Sequence, residues 1–354
     1  MNAILFVPVS GPRGAGEYYR CLAIAQALVA QRPEWAVHFA LSREAAVEKL
    51  DGFRYHMLDK SPTHETTHIV RLLNELRPRV TTFDSTFRTR QLREAKRLGS
   101  SVVCLVSRRK KRRKLVTPWK LANIDRIWVS GETDPRNRCF GWLERAATLG
   151  WSGRMDFVGP VLPPATQTAS SGCLDRLPAE YILVAPGGGG GTVQGRPAVD
   201  TFQEAARILA EKEGIPVLFV AGPLFNGLLY EVDGLHAKRS LQPGELIAAM
   251  RNAKVCLLGG GSILLQGIAV GRGCVGVPAG GRDQPERIRH LAEQGMILEP
   301  HESSAVAMAS AAKALWTDPV KRAAIESRTK AGNAGVADAN DQISRDIIAM
   351  AERH

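Results

Sequence analysis

No apolar run in the chain approaches the roughly 18 residues that a membrane-spanning helix needs, so no segment is expected to cross a bilayer. The N-terminal apolar stretch lacks a preceding basic region and a small-residue cleavage site. It breaks into SGPRGAG, which reads as a mature strand and not a signal peptide. The six cysteines form no C-x-x-C pair and lie scattered through apolar patterns. That pattern argues against a disulfide framework and for reduced, buried thiols in a cytoplasmic protein. Acidic residues are scarce in one half only. Residues 1–172 hold 28 Lys+Arg against 15 Asp+Glu, a net of +13, whereas residues 173–354 hold 19 against 20, a net of −1. Like charges gathered on one side repel unless something anionic meets them, so the partner is expected on the N-terminal side.

What the chain does contain is length, glycine and alternation. Its 354 residues, 44% hydrophobic with 34 glycines, suffice for two domains with separate cores. Strand patterns are read near 3–9, 35–40, 54–58, 79–84, 101–106 and 125–130, with helices over 17–31, 65–76 and 89–98. A Pro/Ser/Thr-rich stretch (159–172) without periodicity reads as a linker, giving domains over 1–160 and 179–335 joined by 161–178. Alternation restarts with strands at 181–186, 215–222, 254–260 and 274–278 and helices at 197–213, 244–252, 262–271 and 284–294. The last fifty residues look helical, ending in a helix within 336–354. Repeated βα units imply an α/β fold of two doubly wound parallel sheets, whose ligands bind outside the carboxyl ends of the strands, in a cleft between domains.

Three glycine clusters follow strands. G-P-R-G-A-G-E-Y-Y (11–19) fails as a triphosphate loop because Glu17 and Tyr18 stand where Lys and Ser/Thr belong. It fails as a dinucleotide fingerprint because Tyr19 takes the third glycine position. PGGGGGT (186–192) lines up Gly187, Gly188, Gly189, Gly190 and Gly191 before Thr192. Bare backbone there approaches a ligand closely and offers N–H groups to phosphate, beyond the flexible turn that glycine otherwise marks. GGGSILLQ (259–266) opens a helix behind Gly260 and Gly261, with Ser262 near the N-cap, another anion-favouring start.

These segments carry a resemblance. GAGEYYRCLAIAQAL is similar to the opening of the nucleotide-sugar hydrolases of pseudaminic-acid biosynthesis and of the lipid II N-acetylglucosaminyltransferase. RPRVTTFDST (77–86) resembles the hydrolases' strand ending in Asp-Ser, here Asp84 and Ser85. LQPGELIAAMRNAKVCLLGGGSILLQGIAVGRGCVGVP (241–278) and DQPERIRHLAEQG (283–295) resemble their donor-binding segment and its Asp283-Gln284 continuation. The resemblance implies a GT-B architecture, with an acceptor-side N-terminal domain and a nucleotide-sugar donor domain. The donor would contact 187–192, Gly260, Gly261, Ser262, Gln266, Asp283 and Gln284. Three departures stand out. The family's proposed general-base histidine is replaced by Glu17, its ribose-binding glutamate by Gln266, and its acidic residues after the fifth strand by SRRKKRRK (107–114).

The chemistry expected is transfer of a sugar, with UDP favoured as its carrier, to an anionic or membrane-borne glycan or lipid of the cell envelope. No cofactor or metal is expected beyond the nucleotide sugar. Glu17 is the candidate base, held ionised by the helix start and by Arg20, although a cap paired with Arg20 is the plainer alternative. Asp84 is a second base, an acceptor ligand, or an Asx turn. Gly14, Gly16 and Arg20 are candidate acceptor or phosphate contacts. A hydrolase in which Glu17 activates water, and a non-catalytic binder of membrane or nucleic acid, are the rival readings. The cations Arg108, Arg109, Lys110, Lys111, Arg112, Arg113 and Lys114, with Trp119 beyond them, read as a patch for anions or for an inner-leaflet membrane surface. Nucleic acid is disfavoured, since no binding motif accompanies them. HETTH (64–68) fits H-E-x-x-H, but its βαβ setting disfavours zinc proteolysis. Contact of His64 or His68 with the acceptor is the better expectation.

Overall fold

The computed structural model describes residues 3–11, 16–45, 47, 49–107, 109–131, 155–162, 177–193, 195–230, 232–333 and 339–353. The chain divides into two compact units, Met1–Pro163 with Gly335–His354, and Pro164–Ala334.

The first unit is built on β1 (Ala3–Pro8), β2 (Ala36–Ser42), β3 (Arg54–Leu58), β4 (Val80–Asp84), β5 (Ser101–Val106), β6 (Arg126–Ser130) and β7 (Met155–Val158), in the order β3-β2-β1-β4-β5-β6-β7. Every pairing is parallel. The central strands β1 (AILFVP) and β5 (SVVCLV) are almost wholly apolar because both faces are covered, and alternate residues serve opposite faces. Ile4 and Phe6 pack with Phe39, Leu105 and Trp128 on one face, beneath α1 (Gly16–Gln31). Leu5 and Val7 join Phe83, Cys104 and Val106 on the other. That face is covered by α2 (Thr66–Leu76), α3 (Thr89–Arg97), α4 (Arg109–Leu115) and α5 (Pro118–Leu121).

The second unit orders β8 (Ile182–Ala185), β11 (Val217–Val220), β12 (Leu235–Lys238), β13 (Val255–Gly259) and β14 (Gly273–Val277) as β12-β11-β8-β13-β14, again all parallel. A two-stranded ribbon, β9 (Thr192–Val193) and β10 (Arg196–Pro197), leads into α6 (Ala198–Glu211). The other helices are α7 (Pro243–Asn252), α8 (Ser262–Ala269), α9 (Gln284–Glu293), α10 (Ala305–Thr317) and α11 (Pro319–Asn333). Phe202, Leu209, Met308 and Leu315 cover one sheet face.

The terminal helix α12 (Ala339–Glu352) belongs to the first unit. Ile343, Ile347, Ile348 and Ala351 enter its core beside Leu22 and Leu28 of α1. Polar contacts fix the register: Gln31 donates to the Ser344 hydroxyl at 2.8 Å, and Arg79 to the Ala351 carbonyl at 3.0 Å.

Besides the short ribbon of β9 and β10, two strands of the main sheets escaped the sequence reading, β7 and β12. Both are four-residue edge strands, too short and too exposed on one side for a pattern to register. Nearly all of the 161–178 linker, with Gly14 and Arg108, lies outside the described residues.

Candidate functional site

In each sheet the strand order reverses beside the first strand, between β1 and β4 and between β8 and β13. Doubly wound sheets bind ligands outside the carboxyl ends of strands at such points. The residues singled out in the sequence gather at both.

In the first unit, β4 ends on Asp84, level with Pro8 of β1 and Leu105 of β5. Asp84 is fully buried. Its carboxylate takes Arg20 Nε on Oδ2 at 2.8 Å and Nη2 on Oδ1 at 2.6 Å, and the Ser85 hydroxyl donates to Oδ1 at 3.1 Å. Burial pushes the Asp84 carboxyl above its ordinary value, and Arg20 works against that push. For Arg20 burial acts downward, but the attraction of Asp84 outweighs it and holds the guanidinium charged. Ser85 has φ of 62°, a left-handed conformation rare outside glycine, and marks a sharp turn as the chain leaves the strand. The Arg20 fork is therefore spent on Asp84, which positions α1 over β4. The pairing of Arg20 with Glu17 offered by the sequence is not formed. Glu17 sits half-buried in the first turn of α1 and, among the described residues, makes no hydrogen bond or ion pair. Gly16 precedes it, exposed.

The basic run departs from the expected surface patch. Residues 109–115 form α4, and nothing beyond helical backbone is described for Arg109 and Lys110. Arg112 turns inward, 1% exposed, with its guanidinium carbon 5.7 Å from the Phe157 ring centroid. Lys111 Nζ donates to the Ser85 carbonyl at 3.1 Å. Arg113 and Lys114 remain exposed, as does Trp119, at 61%. A guanidinium is more weakly hydrated than an ammonium and stacks on aromatic faces, so one arginine of a cationic run can be packed inward.

His64 lies in the turn before α2, not on it, so H-E-x-x-H does not present two imidazoles on one helical face. His68 instead bonds to Glu65, 2.5 Å away.

In the second unit the glycines have two distinct reasons. A Cβ on Gly189 would meet the Ala221 carbonyl at 2.9 Å and on Gly190 the Leu224 side chain at 3.1 Å. On Gly191 it would collide with the Ala279 carbonyl, and on Gly259 with that of Pro186. These residues let the loops after β8, β11, β13 and β14 pack backbone against backbone. Gly187 is required by its φ of 110°, while Gly188 has room for a side chain. Among the described residues, none of the N–H groups of Gly187–Gly191 donates to a backbone carbonyl, although the carbonyls of Gly188 and Gly191 accept from Leu224 and Ala198. The loop thus carries donors without acceptors, as an anion-binding concavity does.

Gly261 is the N-cap of α8, and Ser262 is its first residue, one step later than expected. Gln266, one turn on, is half-buried on the same helical face. Gln284 accepts from the Ala279 amide at 2.6 Å, and Asp283 holds Arg287 at 2.6 Å, whose other Nη donates to the Gly260 carbonyl at 2.8 Å. Asp283 and Gln284 therefore brace the glycine turns. Arg287 was missed in the sequence, where its only signal is a spacing of four from Asp283 along a helix. Thr192 is exposed in the ribbon.

No protein-family model and no curated protein sequence matches the chain. Solved structures do. UGT2 of Phytolacca americana, in complex with UDP-2-fluoroglucose and pterostilbene, superposes with a TM-score of 0.69 at 14% identity, covering 99% of this chain and 100% of its own. The glycosyltransferase of kitacinnamycin gives 0.67 at 16% identity over 98% of each chain. CalG4, the calicheamicin glycosyltransferase, gives 0.64 at 17% identity over 100% of this chain and 99% of its own. At such identities the likeness is one of fold, and the fold is GT-B.

Proposed function

We propose that the protein is a glycosyltransferase that takes a sugar from a nucleoside diphosphate, UDP by preference, and passes it to an acceptor hydroxyl. The observation that carries this reading is the Gly187–Gly191 loop, whose unused N–H groups lie at the switch point of the second sheet, where α8 also begins. Backbone donors and a helix N-terminus stabilise the charge that develops on a departing diphosphate. The UDP-sugar found in the structure of the Phytolacca enzyme supports the choice of carrier. Gln266 then meets the ribose, Arg287 and Gln284 hold the turns in place, and Glu17 in the first unit removes the acceptor proton. The acceptor oxygen bonds to the anomeric carbon as the bond from that carbon to the diphosphate breaks.

A thermal-shift panel of UDP, GDP, ADP, CDP and dTDP tests the donor half. A ligand at ~100 times its Kd stabilises the native state by about 2.7 kcal/mol. UDP is expected to raise the Tm by several degrees and the others by less. No shift with any diphosphate would overturn the proposal.

A further inference from the structure

The pairing of β1 with β4 breaks off where the first sheet reverses its order. Pro8 lies level with Asp84, and the last rung is the Val9 amide on the Asp84 carbonyl at 2.9 Å. A parallel ladder would continue with the Thr86 amide on the Val9 carbonyl. That rung is not made: Ser85 turns left-handed and gives its own amide to the Leu105 carbonyl of β5 at 3.2 Å.

The groups left over are donors. Ser10, Thr86 and Phe87 are 2%, 1% and 9% exposed, and among the described residues none of their amides reaches an acceptor. The Thr86 hydroxyl has no partner either. The Ser10 oxygen accepts the Ser42 amide at 3.0 Å, which leaves its own proton to donate. Covalent geometry keeps the three donors of Thr86 and Phe87 within about 5 Å of one another, and the Val9–Asp84 rung holds Ser10 on the adjoining chain. Other unpartnered side chains of this unit differ. Thr82 lies inside β4, level with Phe6 and Val103, and Ser61 and Thr117 are only half-buried. Gln91 leaves an acceptor unused, since its nitrogen is on the Pro62 carbonyl at 2.9 Å.

A buried N–H or O–H without an acceptor costs free energy that an incoming oxygen restores. We infer that Ser10, Thr86 and Phe87 form an oxyanion site that receives a carboxylate carried by the acceptor. The inference rests on the transferase reading only for calling that molecule the acceptor. Two oxygens with several lone pairs each accept from N–H and O–H groups at once. Every donor here is neutral, which suits a singly charged group better than a phosphate dianion. The neighbouring Asp84 does not fill the site, for both its oxygens are engaged by Arg20.

The experiment uses the full chain. UDP binding is measured first and judges the donor reading on its own. D-Glucuronate is then titrated, with UDP present wherever UDP binds, and the backbone amides are followed by NMR. D-Glucose and inorganic phosphate are the comparison probes. Glucuronate is expected to shift the Ser10, Thr86 and Phe87 amides, glucose to leave them, and phosphate to act only at higher concentration. Thr86→Val is expected to weaken glucuronate binding by about tenfold or more, and Thr86→Ser to retain it. The Tm of Thr86→Val is expected to hold or rise, because a buried hydroxyl without a partner is removed. Amides that no probe moves overturn the site and leave its donors to water. Glucose acting like glucuronate, or phosphate acting at lower concentration, overturns the carboxylate. A Thr86→Val protein that loses several degrees of Tm overturns the site as well, since its hydroxyl is then spent inside the protein.

Discussion

Arg20 lays its guanidinium along both carboxylate oxygens of Asp84, at 2.8 and 2.6 Å, and so ties the first turns of α1 to the end of β4. With Asp84 fully buried, neither charge is easily left alone. Removing one partner of a buried pair typically costs about 3–5 kcal/mol, whereas replacing both by apolar groups often recovers much of the loss. Asp84→Asn is expected to show a destabilisation of that order in urea unfolding, and Arg20→Met/Asp84→Leu a smaller one. A change in Asp84→Asn of under about 0.5 kcal/mol, as for an exposed pair, would contradict the enclosed geometry.

The glycine loop makes a prediction that separates packing from ligand contact. Gly191→Ala sets a methyl against the Ala279 carbonyl and is expected to lower stability by about 1–3 kcal/mol, as overpacking does. Gly188→Ala meets nothing nearer than the Leu224 side chain at 4.0 Å. It is expected to leave the Tm in place while weakening UDP binding. Equal stability losses in the two variants would mean that the loop is bare for structural reasons alone.

Much of this was legible in the chain. Central strands such as β1, β5, β8 and β13 stand out because parallel strands buried on both faces read as nearly unbroken apolar runs. Asp84 was found at a strand end, and the glycine turns were found after β8 and β13. The sequence could not say which polar groups would be consumed by neighbours. Arg20 was expected beside Glu17, three residues away on the same helix, yet it reaches 64 positions along the chain to Asp84. Asp283 and Gln284 look like ligand contacts in one dimension and act as braces in three. The basic run was the least legible. Seven consecutive cations read as a surface patch for anions or a membrane, but helical rotation turns Arg112 into the core while Arg113 and Lys114 stay exposed. Tertiary pairing of this kind leaves no local pattern.

On the other arm of the first sheet, His38 and His56 stack with ring centroids 5.2 Å apart and share a hydrogen bond of 2.9 Å. Burial lowers the His38 pKa from 6.5 to about 4, helped by His56 and Arg54. Burial also lowers that of His56, with Glu75 opposing and Arg54 assisting. Between those values the unfolded chain binds a proton that the native His38 refuses, so the native state loses ground as pH falls. The contribution of neutral His38 is complete above pH 6.5 and is lost progressively as pH falls toward about 4. Urea unfolding at neutral pH and in this acid window should show the decline, and His38→Gln/His56→Gln should flatten it. An unchanged slope in the double variant would assign the acid sensitivity to other groups.

Glu17 is the residue on which the proposed chemistry turns. It opens α1 beside the Arg20–Asp84 pair, and its charge is felt at both members, yet its own carboxylate is held by neither. A carboxylate within reach of an acceptor hydroxyl is the group that removes its proton. Glu17→Gln keeps shape and hydrogen-bonding capacity while removing the base. With UDP-sugar and a competent acceptor, kcat is expected to drop by about 10²–10⁴-fold while UDP affinity and Tm stay at wild-type values. If UDP affinity fell in step with kcat, Glu17 would belong to donor binding. If neither moved, Glu17 would be only the first residue of a helical turn, and the proton would have to leave by another group.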